Sequence, residues 1–430
     1  MQLDQVLRTP IEPTTKGWPA LAGALPPRAV GQQGWNLLRQ DLPLPVAVLK
    51  GSALSHNSRW MRRFLEQFDV RLCPHGKTTM APQLFARQLA DGAFGITVAT
   101  VQQLMVCRRF GVPRVLMANQ LIGRQAIRQV IAELEADPGF EFLCVVDSRA
   151  GVEALLGELR DHPLGRPFEV LLEGGAAGGR TGCRSITDAL AVARAVAAAP
   201  ELALVGVEGF EDVMGGGIAD AEPKVEAFLE FLVETARACA TEDLFAPGPV
   251  ILSAGGSKYF DQVSRIFRGA GLGRPVEIVL RSGCYLSHDS KIYTEAFARL
   301  SERTPEVEQL GEGLRPALEL WAAVQSTPEP GLAVLTMGKR DVSHDLDLPI
   351  PKQWYRPGLH ARPQELGGGF GVSGFYDQHT CLRAPADSPL RVGDLVSFGV
   401  SHPCTTFDKW RLLYVVDDDY TVTEAIRTFF

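Results

Sequence analysis

The sequence lacks the features that mark membrane, secreted and nucleic-acid-binding proteins. No apolar stretch approaches the ~20 residues that a membrane-spanning helix needs. The N-terminus has no basic stretch followed by an apolar one, which is the pattern of a signal peptide. Lys and Arg number 43 against 50 Asp and Glu, a formal net charge of −7, and no basic run is interleaved with aromatics. We therefore expect a cytoplasmic protein with neither a membrane nor a nucleic acid as its partner.

Paired cysteines are also missing. The chain has eight cysteines, but no two of them form a Cys-x-x-Cys pair, so neither a disulfide framework nor a structural zinc knuckle is predicted. Most of them are expected to be small core hydrophobes. Cys404 is the exception and is considered with its neighbour His402 below.

The chain is long enough for two domains, and its first part alternates apolar runs with amphipathic helical runs. Strands that are apolar throughout and separated by helices predict a parallel sheet covered on both faces. We predict a (β/α)8 TIM-like barrel of the α/β class. A doubly wound open sheet is the alternative, but no G-x-G-x-x-G turn follows an early strand. The predicted barrel strands are residues 71–77, 95–100, 114–120, 141–148, 168–175, 202–211, 250–257 and 276–285.

The pattern changes beyond about residue 300. Helical periodicity fades there, and alternating segments with Gly, Pro and Asp between them predict a smaller antiparallel β domain. The strand at 46–50 lies outside the barrel count and is predicted to pair within that domain. Two glycine clusters, 214–217 and 366–374, predict loops. The predicted division is an N-terminal segment 1–55, a barrel 56–300 and a β domain 301–430.

Lys77 stands where the first barrel strand ends in Pro-His-Gly-Lys, before a helix that begins near Ala81. Active sites of barrels lie at the carboxyl ends of the strands. Loss of hydration at such a position lowers the pKa of a lysine and makes its neutral amine available. That amine can form a Schiff base with an aldehyde, including the aldehyde of pyridoxal phosphate. An ordinary loop lysine is the alternative.

A turn after the seventh strand, Ser253-Ala254-Gly255-Gly256-Ser257, could hold a phosphate. Its glycines let the backbone approach an anion, and barrels often bind phosphate after strands seven and eight. A simple strand-to-helix turn is the alternative. Arg180 follows the glycine-rich run 174–182 and could face a ring nitrogen or a carboxylate; otherwise it is a surface arginine.

His402 and Cys404 are two residues apart on a predicted strand, so their side chains would point to the same face. Imidazole and thiolate together bind metals such as zinc. Two protein ligands leave room for substrate oxygens or water, as in a catalytic metal site. The alternative is a buried cysteine beside an unrelated histidine. His379 is a third candidate of this kind.

The order and spacing of three segments resemble the D-serine dehydratase / D-threonine aldolase family, which are fold-type III pyridoxal phosphate enzymes related to alanine racemase. The segments are Cys73-Pro74-His75-Gly76-Lys77-Thr78, Gly95-Ile96-Thr97-Val98-Ala99-Thr100 and Ala118-Asn119-Gln120. The stretch VEIVLRSGCY and the Ser-His-Pro-Cys segment agree, so that the resemblance extends from about residue 45 to 415. Cys73 and Thr79 depart from the family, which usually has Arg and His at these positions.

The resemblance implies a barrel with a β domain, pyridoxal phosphate on Lys77, a divalent metal and a homodimer whose active site lies between one barrel and the partner's β domain. Zinc is the favoured metal, with manganese or magnesium as alternatives. The implied site residues are Lys77 and His379 for catalysis, His75, Arg180, Ser253, Gly255, Gly256, Ser257 and Tyr285 for the cofactor, and His402 and Cys404 for the metal.

The implied activity is dehydration and deamination of a D-serine-like β-hydroxy amino acid to a 2-oxo acid and ammonia. The runner-up is a D-threonine aldolase, although that branch tends to carry His-x-Asp where this chain has His402 and Cys404. A racemase and a non-catalytic pyridoxal phosphate carrier are further alternatives. A racemase has no obvious use for a metal pair, and a carrier has none for the extra C-terminal domain.

Overall fold

The computed structural model describes residues 1–213 and 217–430. Most of the glycine cluster predicted as a loop at 214–217 therefore lies outside the described residues. The helices are α1 (Asp4–Arg8), α2 (Pro27–Val30), α3 (Gly51–Phe68), α4 (Pro82–Ala90), α5 (Val101–Arg109), α6 (Arg124–Ala136), α7 (Arg149–Asp161), α8 (Ile186–Ala197), α9 (Ile218–Thr241), α10 (Phe260–Arg268), α11 (Ile292–Arg303) and α12 (Pro403–Phe407). Short 3-10 turns span Ala20–Ala22, Gly76–Thr78, Glu211–Val213 and Pro305–Leu310.

The strands form two sheets. Those of the first part of the chain are β1 (Val46–Lys50), β2 (Arg71–Leu72), β3 (Ile96–Val98), β4 (Arg114–Gln120), β5 (Glu141–Val146), β6 (Phe168–Gly174), β7 (Leu202–Gly209), β8 (Val250–Ala254) and β9 (Val276–Leu280). Those of the second part are β10 (Leu318–Glu329), β11 (Leu332–Leu335), β12 (Ile350–Tyr355), β13 (Gln364–Glu365), β14 (Gly371–Phe375), β15 (Thr380–Arg383), β16 (Leu395–Gly399), β17 (Leu412–Val416) and β18 (Val422–Arg427).

The first sheet is a closed parallel barrel, which confirms the predicted fold class. Its order is β2-β9-β8-β7-β6-β5-β4-β3, and each neighbouring pair is parallel. Backbone hydrogen bonds join its two ends, from Phe94 N–H to Leu72 O (2.7 Å) and from Thr97 N–H to Pro74 O (2.9 Å). All eight predicted strands are present, and a separate cluster fills the interior with Cys73, Leu116, Leu143, Val145, Leu171, Ile251 and Val279.

The first barrel strand is shorter than its apolar run suggests. The predicted strand 71–77 is regular only over Arg71–Leu72. Pro74 has no N–H to donate to a strand ladder, and the chain then turns sharply through Gly76–Thr78. Lys77 therefore lies on a turn at the mouth of the barrel.

The second sheet is formed mainly by the C-terminal part of the chain. Its main path is β13-β12-β16-β10-β1-β17-β18, with β11, β15 and β14 continuing from β10. Strand β1 pairs antiparallel with β10 and parallel with β17, so the early strand 46–50 lies between two C-terminal strands. The limits of the three predicted segments stay a prediction.

Part of the glycine cluster 366–374, predicted as a loop, forms strand β14. This prediction was wrong for residues 371–374, which belong to β14 (Gly371–Phe375) and pair with β15. Cross-strand pairing outweighs the low strand propensity of glycine here, and the missing side chain of Gly374 leaves room for Cys381, whose Cβ would lie 3.2 Å from an added β-carbon.

No helix in the described part of the chain combines the length and the apolar character that crossing a membrane requires.

Candidate active site

A cavity of about 380 Å³ lies at the carboxyl ends of the barrel strands. Turns of the barrel form one wall, and residues of the C-terminal part of the chain, including His402 and Cys404, form the other. We call these the barrel wall and the metal wall. Lys77 lines the same cavity, so the structure brings together the two groups of residues that the sequence singled out separately.

Tight packing positions the turn that carries Lys77. A β-carbon at Gly76 would come within 2.6 Å of the Ile96 side chain, and one at Gly283 would come within 2.7 Å of the His75 carbonyl oxygen. Both positions therefore need glycine.

His75 lines the cavity and is half-buried. Burial, and then the charges of Lys77 and the nearby arginines, hold its pKa well below the usual value, so that its imidazole is neutral. Its Nδ1 makes no hydrogen bond to the described residues.

A buried ion pair lies beneath the cavity. Arg281 Nη1 is 2.6 Å from Glu208 Oε2, and each side chain is 2% exposed. Arg281 also donates to the Gly209 carbonyl oxygen at 2.8 Å and to the Ser253 hydroxyl at 3.3 Å. Arg281 and Glu208 lie within two of the predicted barrel strands, 276–285 and 202–211, but sequence reasoning gave neither a role, because their pairing depends on the register of three strands.

Arg180 lines the cavity at the end of its glycine-rich loop. Its guanidinium lies over the Phe210 ring, 4.5 Å from the centroid. The loop is held from below, since the Thr181 hydroxyl donates to Glu173 at 2.8 Å. Burial and the charge of Glu208 raise the pKa of Glu173 to about 7, against the hydrogen bonds from Thr181 and Gln120.

The turn Ser253–Ser257 already binds a carboxyl group of the chain itself, that of Glu211, whose pKa is raised by burial. The N–H groups of Gly255 and Gly256 donate to the two carboxylate oxygens of Glu211, at 3.0 and 2.6 Å. Only Gly256 and Ser257 of the predicted cofactor residues in this turn line the cavity. Ser253 lies behind it, with its hydroxyl bonded to the Val279 carbonyl oxygen at 2.8 Å.

His402 and Cys404 do not lie on a strand, so this part of the prediction was wrong. Strand β16 ends at Gly399, His402 caps helix α12 and Cys404 lies in its first turn. Pro403 explains the change, because proline has no N–H and favours the first position of a helix. Both side chains nevertheless line the cavity.

The donors of the metal wall are held by close contacts. His402 Nδ1 is 2.6 Å from Asp345 Oδ2, which leaves Nε2 free of this contact. Cys404 Sγ is 3.7 Å from Cys284 Sγ and 3.5 Å from the Thr78 hydroxyl. The described residues contain no group of three or more His, Cys, Asp or Glu arranged to hold a metal.

The neighbours of Cys404 favour the thiolate form of its side chain. The contact with Cys284, together with His402, lowers the pKa of the Cys404 thiol although burial opposes this. Burial lowers the pKa of His402, but contacts with Cys404 and Asp345 outweigh it and raise the value to about 9. A thiolate is the form of cysteine that binds metal.

Two predicted site residues lie elsewhere. Tyr285 is 3% exposed and contacts Gln88 of helix α4 rather than the cavity, because the chain turns immediately after β9. His379 is exposed in the turn between β14 and β15 and does not line the cavity of its own chain. Asp345 was missed, and its only local signal is an aspartate-rich stretch from Asp341 to Asp347.

The chain is similar to several known proteins. Residues 317–416 match the family model described as a putative serine dehydratase domain. The chain is 25% identical to 3-hydroxy-D-aspartate aldolase of Paracoccus denitrificans (strain Pd 1222) over 317 residues, 72% of this chain and 76% of that protein. It is 29% identical to D-threo-3-hydroxyaspartate dehydratase of Delftia sp. (strain HT23) over 141 residues, 33% and 36% of the two chains. The structure of D-threonine aldolase from Filomicrobium marinum superposes with a TM-score of 0.74 at 21% identity, covering 92% and 97%.

An alanine racemase-like protein from Idiomarina loihiensis has the same fold and superposes with a TM-score of 0.66 at 16% identity, covering 90% and 96%. These similarities confirm the resemblance to the D-serine dehydratase / D-threonine aldolase family that the sequence segments indicated.

The residues of the cavity fit the groups that this family implies. For the cofactor, the Lys77 amine, the Arg180 guanidinium and the turn residues Gly256 and Ser257 line the same space, which suits an aldehyde that carries a phosphate. For a metal, His402 and Cys404 supply one nitrogen and one sulfur donor, a set that suits zinc.

Proposed function

We propose that the protein is a pyridoxal phosphate- and metal-dependent dehydratase of D-serine-like β-hydroxy amino acids, which releases a 2-oxo acid and ammonia. One observation carries the proposal: Lys77 and the His402–Cys404 pair line a single cavity. An amine that can hold the cofactor and a pair that can hold a metal thus face one substrate.

The barrel wall would bind and orient the cofactor. Pyridoxal phosphate supplies an electron sink for a carbanion at the substrate Cα. Lys77 would hold the cofactor aldehyde and, once released, take the Cα proton with its amine. Arg180 would face the pyridine nitrogen, and the loop below it is held by the bond from Thr181 to Glu173. His75 is neutral, so it adds no positive charge beside Lys77.

The metal wall would act at the other end of the substrate. A divalent metal, with zinc favoured, would be held by His402 and Cys404 and would supply Lewis acidity toward the β-hydroxyl oxygen. Elimination breaks the Cα–H and Cβ–O bonds and releases water. Hydrolysis of the resulting enamine then gives the 2-oxo acid and ammonia.

Retro-aldol cleavage to glycine and an aldehyde is the second candidate. It is supported by the aldolase names of two relatives, from Paracoccus denitrificans and from Arthrobacter sp., the latter 35% identical over 100 residues, 23% of this chain and 25% of that protein. Cys404 favours dehydration, because the family resemblance associates aldolases with aspartate at this position.

We further propose a homodimer in which the β domain of each chain completes the partner's cavity. His379 lies exposed in its turn and would act in the partner's site rather than in its own. Sedimentation should give twice the mass of the 46.7 kDa chain. A monomer with full activity would contradict this arrangement.

A substrate screen tests the proposed activity. The holoenzyme is incubated with D-serine, D-threonine and D-threo-3-hydroxyaspartate, with the L-enantiomers as controls. We expect 2-oxo acid and ammonia from at least one D-substrate in equal amounts. Glycine and an aldehyde as the main products would establish the aldolase instead, and no turnover of any D-substrate would favour a carrier.

Metal removal tests the metal separately. The metal is removed by dialysis against a chelator, and its removal is verified by atomic emission. Deamination should then be abolished while the absorption of the bound cofactor persists. Added zinc should restore deamination. Full activity after verified removal would contradict the metal role.

A further inference from the structure

Asp345 contacts His402 and Thr405, which lie before and after the proposed metal ligand Cys404 in the chain. It lies on the segment 336–349 between β11 and β12, far from His402 in sequence. Its Oδ2 is 2.6 Å from His402 Nδ1, and its Oδ1 accepts a hydrogen bond from the Thr405 hydroxyl at 2.7 Å. Both carboxylate oxygens are therefore directed at the chain segment that carries the metal wall.

The segment around Asp345 is fastened to that chain segment on both sides. Before Asp345, the Ser343 N–H donates to the Thr406 hydroxyl at 3.0 Å, and the His402 N–H donates to the Ser343 hydroxyl at 3.3 Å. After it, the Ser401 hydroxyl donates to the Asp347 carbonyl oxygen at 2.7 Å. The carboxylate of Asp345 is thus oriented before any ligand binds.

This geometry decides which ring nitrogen of His402 can meet a metal. When a metal replaces the proton on Nε2, an imidazole that donates Nδ1–H to a carboxylate binds that metal through the Nε2 lone pair. The same contact prevents rotation of the ring, and the carboxylate makes the imidazole a stronger donor.

We propose that Asp345 is a positioning residue that holds His402 in the tautomer and orientation that bind a divalent metal through Nε2. The inference rests on the proposed function, because it requires a metal at His402. Asp345 does not itself touch the metal or the substrate.

Asp347 provides a matched control on the same segment. Its carboxylate pairs with Lys291 rather than with His402. The side chains of Asp345 and Asp347 are similarly exposed, 43% and 37%. Asp345→Asn and Asp347→Asn remove one charge each, but only the first removes the partner of the metal ligand.

The experiment measures zinc affinity of the cofactor-loaded protein by competition with a chromophoric chelator, with zinc alone as the probe. Asp345→Asn should weaken zinc binding by about 10- to 100-fold, the range typical of partners of metal-bound histidines. Asp347→Asn should stay within about twofold of the unmodified protein. Cofactor absorption should be unchanged in both.

A second variant covers the case in which Asp345→Asn does not fold. Thr405→Val removes the hydroxyl that orients Asp345 but keeps the contact between Asp345 and His402, so a smaller loss of zinc affinity is expected. Equal affinity of the unmodified protein and every folded Asp345 or Thr405 variant would overturn the positioning role. An unmodified protein that binds no zinc and is fully active would instead refute the proposed metal.

Discussion

The two walls of the cavity are built differently. The barrel wall rests on buried, paired groups: the ion pair of Arg281 with Glu208, and the Glu211 carboxyl group that accepts from the N–H groups of Gly255 and Gly256. In the metal wall the donors His402 and Cys404 are only partly buried and are held by a partly exposed carboxylate, Asp345. A rigid base of paired groups would suit a cofactor that stays bound, whereas donors with an unshared electron pair would suit a metal that also binds the substrate.

The comparison is tested first at Lys77, where the largest effect is expected. Lys77→Ala removes the amine that would attach the cofactor and take the Cα proton, and loss of the base alone lowers rates by roughly 10²–10⁴-fold. Borohydride trapping followed by mass spectrometry should find the cofactor on residue 77 in the unmodified protein and nowhere in the variant.

Lys258→Ala is the matched control for this change. Lys258 also lines the cavity, but its ammonium pairs with Asp212 at 2.8 Å. The Lys258→Ala protein should keep the cofactor covalently attached to Lys77. Persistence of covalent cofactor in Lys77→Ala would contradict the assignment of this wall.

The buried ion pair offers the next test. Glu208→Ala leaves the Arg281 charge buried without its partner, which typically costs about 3–5 kcal/mol. The free energy of unfolding in urea should fall by that amount. Glu302→Ala breaks an exposed pair with Arg299 and should cost less than about 1 kcal/mol. Equal losses in the two variants would mean that burial does not distinguish the barrel wall.

The smallest expected effect concerns the pH dependence of stability at Glu173. Its pKa is raised from 4.5 to about 7, mainly by burial and by Glu208. An acid with a raised pKa binds its proton more tightly in the folded chain, so stability falls as pH rises from about 4.5 to 7. We therefore expect this group to contribute a fall of about 2–3 kcal/mol between pH 5 and pH 8.

Glu173→Gln should remove this fall, because its amide does not titrate. The free energy of unfolding of both proteins is measured at pH 5 and at pH 8. The difference between the unmodified protein and the variant should change by about 2–3 kcal/mol from one pH to the other. If the difference in free energy of unfolding between the two proteins were the same at both pH values, Glu173 would be ionised throughout this range.

Local patterns in the chain were sufficient for much of the fold. Apolar runs separated by amphipathic ones predict the eight barrel strands, since a strand buried on both faces needs apolar residues throughout. The position of Lys77 follows from Pro74 and Gly76, which end the strand. The same reasoning went wrong at His402, where Pro403 begins a helix instead of continuing a strand.

Contacts between distant residues could not be obtained in this way. Glu208 and Arg281 are 73 positions apart, and Asp345 and His402 are 57 apart. No local pattern relates such residues, because register and the path of the loops determine whether their side chains meet. Tyr285 shows the same limit, since its motif suggested the cofactor while the turn after β9 directs it to helix α4.

Sequence alone was thus enough for the barrel, its eight strands and the lysine at the mouth, because these depend on periodicity and on the conformational preferences of nearby residues. Tertiary structure was needed to bring the His402–Cys404 pair to Lys77, to pair Arg281 with Glu208 and to place Asp345 against His402. These contacts depend on the closure of the barrel sheet and on the packing of the C-terminal part of the chain against the mouth of the barrel. Both bring together segments that are far apart in the chain.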